Sequence, residues 1–360
     1  MSLLTFDNAR QSSYSTGDAV GKPLGQRYST HDGRTVDSTG AFLVGELERL
    51  DQTLHEPLVS VTWPRDIDLR EDVSLADEVT SFTLSTYGAP GGLGTGNSIG
   101  NGKSWAGKDT TQITNTSLDI AKYTFPLNIW AQEVKFTIPE LESAIRLGRP
   151  IDQQKFSALK MKHQMDIDEM VYIGDTGYGL KGLVNQPNTV VANVGNVANG
   201  GGGSPLWSTK SPDEILADVN TLLTSTWGNT GWSVMSGELR LPPVQYGQIT
   251  TQKIGTSGST SVLKYIEENN LMTTGTGRKL RVLPLKWLIG AGAGGTVGTE
   301  GAYDRMMLYD KNKDRVCYPM TLLQKTPTQY DGLYHKVVYF CRLGAVETRY
   351  GSVMGYADGL

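Results

Sequence analysis

The stretch from residue 138 to residue 185 limits what this chain can fold into more than any other. It carries the longest uninterrupted helical pattern in the sequence and then stops in a run of glycines. Pro139 suits a first helical position, and Leu141, Ala144, Ile145 and Leu147 follow before Gly148 and Pro150 interrupt. Asp152 is the expected N-cap of a second helix running to about Tyr172. Phe156, Leu159, His163, Ile167 and Met170 recur every three or four residues, and Ala158, Met161 and Met165 are read as widening that face. About 21 residues at ~1.5 Å each give a rod of ~31 Å. The glycines after Ile173, with Gly174, Asp175, Gly179 and Gly182 as the expected hinge, lead out of the rod into the next domain.

The remaining sequence changes character on either side of that rod. Residues 1–38 are rich in Ser, Thr, Gly and Asp with few apolar anchors, and read as an extended arm that orders only against something else. Residues 39–64 read as a short helix and a connection: Phe42, Leu43, Leu47, Leu50 and Leu54 fall near helical spacing, Pro57 stops them, and Val59, Val61 and Trp63 then alternate like a strand. Residues 65–135 read as a long β-hairpin. Its strands are rich in β-branched and aromatic residues, and residues 89–107 form a tip without periodicity that holds Gly96, Gly100, Gly102 and Lys103. Such a hairpin leaves sheet edges bare in a monomer, so it is expected to lie on a neighbouring subunit.

Residues 188–330 mix helices and strands. Ser211 is the expected cap of a helix with Pro212 just inside and acidic residues in its first turn. A strand-like piece spans 233–241, a helix 261–269 and a buried strand 280–289. Residues 304–312 and 314–322 read as a hairpin turning at Lys311, Asn312 and Lys313, and two more strands follow to the end. Short connections between the strands point to an α+β fold.

The motifs that could carry chemistry read as structure. Residues 177–182 spell GxGxxG, but they follow a helix rather than a strand and open no second helix, which removes a dinucleotide role. Gly102, Lys103 and Ser104 resemble a phosphate loop, yet Asn97 stands where its first glycine belongs. The four histidines (His31, His55, His163 and His335) have no metal-ligand spacing, and His163 reads as a packed core imidazole. Cys317 and Cys341 read as buried free thiols. Asp166, Asp168 and Glu169 read as a solvated or ion-paired helix flank, and Lys155, Lys160 and Lys162 as the wet side of the helix, with a surface facing a polyanion as the alternative. No catalytic, cofactor-binding or metal residue is expected. A net charge of −4 argues against a dedicated nucleic-acid binder and leaves only weak, diffuse DNA contact open. Apolar runs fall short of a membrane span, and the first residues lack a signal-peptide core, so the chain is expected to stay in a cytoplasm.

At DIDEMVYIGDTGYGLKGLVNQ the chain resembles the major capsid proteins of tailed double-stranded DNA bacteriophages, whose Hong-Kong-97-like fold is shared by encapsulin shells. The residues that carry the resemblance are Glu169, Tyr172, Gly174, Asp175, Gly179, Leu180, Gly182, Leu183 and Asn185. It implies a non-enzymatic subunit that forms hexamers and pentamers of an icosahedral shell around double-stranded DNA. It further implies an arm at 1–38, an extended loop at 65–135, a peripheral domain at 136–187 and 331–360, and an apical domain at 188–330. Phe156, Leu159, Ile167 and Met170 would pack the spine helix. Separate scaffolding and portal proteins, and a decoration protein, are the expected partners besides the subunit itself, with no membrane. The location is the virion, with assembly in the bacterial cytoplasm. An encapsulin-type compartment, or a hydrolase with scattered catalytic residues, is the alternative.

Overall fold

The computed structural model describes residues 59–88, 108, 117–147, 151–187, 191–254, 260–293, 295–299 and 303–360. The arm, the helix expected before Pro57 and the hairpin tip with Gly96, Gly100, Gly102 and Lys103 lie outside the described residues.

Helix α1 (Trp63–Asp66) has a proline in its first turn. The alternation of Val59, Val61 and Trp63 therefore ends in a helical turn instead of a strand. Its cause is a distant carboxylate: Asp168 accepts from the backbone N–H groups of Thr62 at 2.8 Å and Trp63 at 3.0 Å. Strand β1 (Asp68–Arg70) follows, and then β2 (Val79–Gly88) and β3 (Ser117–Pro126). These two pair antiparallel from Val79 opposite Pro126 to Gly88 opposite Ser117, as a sheet of their own. Strand β4 (Asn128–Thr137) does not extend that hairpin; its full length pairs with a strand near the end of the chain.

Helix α2 (Ile138–Leu147) precedes the long helix α3 (Ile151–Tyr172). The helix begins at Ile151, so the expected N-cap, Asp152, lies inside the helix instead of capping it. Leu159 and Ile167 are buried, while Phe156 and Met170 are half-buried. Ala158 and Met165 face outward, contrary to the sequence reading. At 3.6 residues per turn, residues 158, 161 and 165 stand roughly 140–160° from His163, on the opposite side.

Strand β5 (Ala192–Asn196) leads to α4 (Pro212–Asn229), which is closed by a reciprocal capping box between Ser211 and Glu214. Next come β6 (Glu238–Leu241), α5 (Pro243–Thr251), α6 (Val262–Asn269), α7 (Leu271–Thr276) and β7 (Arg281–Pro284). The strand expected over 280–289 stops at Pro284, and a 3-10 turn, Lys286–Leu288, takes its place. The chain ends with β8 (Arg305–Tyr309), β9 (Val316–Pro319), β10 (Gln324–Lys325), β11 (Gln329–Asp331), β12 (Tyr334–Leu343), β13 (Glu347–Thr348) and β14 (Gly355–Asp358).

The expected β8–β9 hairpin does not form. Strand β8 lies between β14 and β6 in a five-stranded sheet ordered β5-β14-β8-β6-β7, whereas β9 lies between β1 and β13 in a second sheet. The carbonyl of Asn312 accepts from the N–H groups of Arg315 and Val316 at 2.9 Å each, which swings the chain from one sheet into the other. A third sheet holds β10, β12 and β11, with β4 along β12. Because β14 joins the five-stranded sheet, that sheet draws on both 188–330 and 331–360.

Two cores flank the five-stranded sheet. Met307 and Tyr309 pack with the end of α3 through Ile167, Val171 and Tyr172. Met306 and Leu308 pack on the other side with Ile215, Val219, Leu222 and Leu223 of α4. A strand covered on both faces needs apolar residues throughout, which is why β8 reads MMLY without alternation.

Candidate assembly site at the end of the spine helix

Three features meet around the C-terminal half of α3: a locked turn, a buried polar joint and the root of the hairpin. The turn comes first in the chain. After Tyr172 the backbone doubles back on the helix. Leu183 N–H donates to Val171 O at 2.8 Å, Val184 N–H to Tyr172 O at 3.0 Å and Gly182 N–H to Ile173 O at 3.2 Å. Asn185 clasps the fold-back from its open side. Its Nδ2 donates to Ile173 O and its Oδ1 accepts from Gly182 N–H, both at 2.7 Å. Asp175 Oδ1 accepts from Gly177 N–H at 2.8 Å.

The glycines follow from this geometry. Gly174 has φ +77°, and a Cβ there would stand 2.4 Å from Leu180 O. A Cβ on Gly182 would meet Tyr172 C and O at 2.3 Å. Gly179 has φ +69° with open space around it, so backbone angle alone selects glycine at that position.

The polar joint ties α1 and the five-stranded sheet to α3. Asp66 is fully buried, and it accepts from Arg65 Nε at 2.8 Å, Arg240 Nε at 3.0 Å and Tyr172 Oη at 2.5 Å. Burial alone would raise its pKa, but the hydrogen bond from Arg65 and the charge of Arg240 together hold it below the ordinary carboxylate value. Burial, reinforced by the Asp66 charge, pushes the Tyr172 hydroxyl far above its usual range, so it stays a donor. One turn before, Asp168 is 1% exposed and also accepts from Trp287 Nε1 at 2.7 Å. The flank expected to be solvated or ion-paired is thus split. Asp166 pairs with Lys162 and accepts from Trp130 Nε1, while Asp168 is an internal anchor. Its partners, Thr62, Trp63 and Trp287, lie more than a hundred residues away, so local sequence could not reveal the role.

His163 Nε2 lies 3.2 Å from Cys341 Sγ, a pair that resembles a nucleophile and its base. Both side chains are buried, and burial pushes the thiol up to about 12 and pulls the imidazole below its ordinary value. A neutral thiol beside a neutral imidazole is packing, reinforced by the Trp130 ring edge-on at 4.7 Å. His335 stands edge-on to Tyr330 on the β11–β12 hairpin. Cys317, equally buried, contacts Glu347 Oε2 at 3.4 Å. Among the described residues, no group of three His, Cys, Asp or Glu side chains could hold a metal ion, and no helix is long and apolar enough to cross a membrane.

The hairpin root completes the region. One face of β2–β3 carries Phe82, Leu84, Tyr123 and Phe125, with Phe82 stacked on Tyr123 at 5.4 Å and on Phe125 at 6.0 Å. The other face leaves Val79, Leu118 and Ile120 between 52% and 61% exposed. A family described as Major capsid protein matches residues 102–360, which hold the hairpin's second strand, the spine helix, the locked turn and most of both cores. The chain belongs to the major capsid protein family. Its fold is similar to that of the capsid of Myoviridae phage XM1, with a TM-score of 0.67 at 16% identity over 91% of this chain and 100% of that one. The capsid of a native GTA particle matches at TM-score 0.55 and 13% identity, over 90% and 99% of the two chains. Mycobacterium phage Cain matches at 0.54 and 12%, over 89% and 98%. No curated protein matches. This capsid subunit is therefore a structural protein of a virion shell, with the α+β, Hong-Kong-97-like fold that the spine-and-turn motif implies.

Proposed function

We propose that the subunit assembles into hexamers and pentamers of an icosahedral shell that encloses double-stranded DNA, and that it catalyses no reaction. The observation that carries this reading is the hairpin. A lone two-stranded ribbon is marginally stable in water, and this one shows apolar side chains on both faces, Leu118 and Ile120 outward and Phe82 and Tyr123 inward. It gains a full set of contacts only when another subunit covers it. The rigid turn at Gly174, Asp175, Gly179 and Gly182 then holds the spine in register with the apical residues 188–330, while Phe156, Leu159, Ile167 and Met170 pack the spine helix.

Residues 1–38 bridge subunits as an arm, and the loop tip with Gly96, Gly100, Gly102 and Lys103 reaches across a neighbour. Assembly takes place in the host bacterium's cytoplasm with separate scaffolding and portal proteins, and a decoration protein binds the finished shell. The enclosed DNA is held by weak, diffuse contacts without sequence preference. Electron microscopy of the full-length protein, purified after production together with its scaffolding protein, is the test. Closed particles with sixfold and fivefold capsomers are the expected result, and a small monodisperse species at every concentration would overturn it.

A further inference from the structure

Strands β3 and β4 are separated by one residue, Leu127, yet belong to different sheets. The direction in which the β2–β3 hairpin leaves the body is therefore set at that corner and at the entry to β2. Packing along the hairpin does little to fix it, because a groove of about 370 Å³ lies between Phe82, Leu84, Tyr123 and Phe125 on one side and Leu180 and Val346 on the other. The corner itself is held closely. Leu127 N–H donates to Glu78 O at 2.9 Å, which ties the two legs just below the first ladder pair, Val79 and Pro126. The Leu127 side chain is buried against Gly344, where a Cβ would stand 2.9 Å from its Cδ2.

One side chain of the body reaches both legs. Arg342, on β12, donates from Nε to Leu75 O at 2.6 Å and from Nη1 to Leu127 O at 3.1 Å. A guanidinium presents its donors in a fixed planar fork, so the two carbonyls are fixed relative to each other and to the strand that carries the arginine. That strand is itself pinned: Arg342 stands opposite Ile129 of β4, and its backbone N–H donates to Thr321 Oγ1 at 2.8 Å. Arg70 makes a second tie, and a weaker one. Its Nη1 reaches Ser81 O only at 3.4 Å, while the same guanidinium is engaged by Glu347 and Asp72.

We propose that Arg342 is the positioning residue that aims the hairpin. It fixes the direction of the ribbon relative to the body and is dispensable for the ribbon's own pairing. Its use rests on the shell reading, in which each hairpin must leave its subunit toward a neighbour.

Distances between paired spin labels on the unassembled full-length subunit test this, so the result stands apart from whether particles form. Cys317 and Cys341 are buried, which directs labels to introduced cysteines. Asp119→Cys with Lys181→Cys reports the hairpin against the body, and Asp119→Cys with Glu78→Cys reports the length of the hairpin itself. Arg342→Gln should broaden the first distance distribution about twofold and leave the second unchanged, as expected when a root that held both legs becomes a hinge. Arg342→Lys, which keeps the charge but replaces the fork by a point donor, should fall between Arg342→Gln and wild type. Far-UV circular dichroism identifies a variant that fails to fold, and if Arg342→Gln does, Arg342→Lys decides alone. A hairpin-to-body distribution as narrow as wild type in the folded variants would overturn the proposal. So would equal broadening of both pairs, which would make Arg342 a support of the ribbon instead of its aim.

Discussion

At the scale of single residues, the turn after the spine separates two reasons for a glycine. Gly182 is required by space, because its missing Cβ lets the backbone lie against Tyr172. Gly182→Val should therefore cost more than about 3 kcal/mol, read as a fall in the urea midpoint of the unassembled subunit. Gly179 is required only by its positive φ, so Gly179→Ala should cost about 1 kcal/mol. Equal losses at the two positions would refute this distinction. His163 supplies a second prediction. Burial lowers its pKa in the folded state, partly opposed by the charge of Asp166, so between that lowered value and about 6.5 the unfolded chain binds the extra proton. The stabilising contribution is complete above about pH 6.5 and is lost as pH falls toward the folded value. His163→Phe, which keeps a ring against Trp130, should flatten the stability profile just below about pH 6.5. The glycines of the turn were legible in the sequence, because the positions that hold the fold-back together are adjacent in the chain. The role of Asp168 was not, because its partners come from α1 and from Trp287.

At the scale of elements, helices were read more accurately than strand partners. α3, α4 and α6 declare themselves by periodicity and by local caps such as Ser211 and Ser261, whose side chains accept from backbone N–H groups three residues on. A strand declares that it is a strand but not which strand it joins. That is why β8 and β9, seven residues apart and both apolar, looked like a hairpin and belong to different sheets. The short helix α1 shows how a remote group overrides local alternation. Asp168→Ala would leave the N–H groups of Thr62 and Trp63 and the indole of Trp287 without their acceptor. The expected cost is about 2–3 kcal/mol in thermal or urea unfolding, with Asp168→Asn, which keeps one acceptor oxygen, losing less. Equal stability of Asp168→Ala and wild type would mean that solvent replaces these bonds.

At the scale of the whole molecule, folding and assembly make separate demands on the chain. Leu118 and Ile120 are 56% and 61% exposed, so the double change Leu118→Ser with Ile120→Ser should leave subunit stability within about 0.5 kcal/mol of wild type. Particle yield should nevertheless fall, as counted by sedimentation and microscopy; undiminished yield would show that this face meets nothing in the shell. Deleting residues 1–38 should likewise preserve the far-UV signal per residue while particles fail or weaken, and equally stable shells would refute a bridging arm. The chain's own residues determined the spine helix, the hairpin and the locked turn, because periodicity, β-branched runs and turn glycines are set by neighbours a few positions apart. Only the tertiary structure decided which strands share a sheet, that one sheet separates two cores, and that α1 and Asp168 meet. Those outcomes depend on how buried surface and buried charge are shared between segments far apart in the chain. The stretch at 138–185 stands on both sides of that division: its glycines fix the turn locally, while Asp168 and Tyr172 find their partners only when the rest of the molecule closes around them.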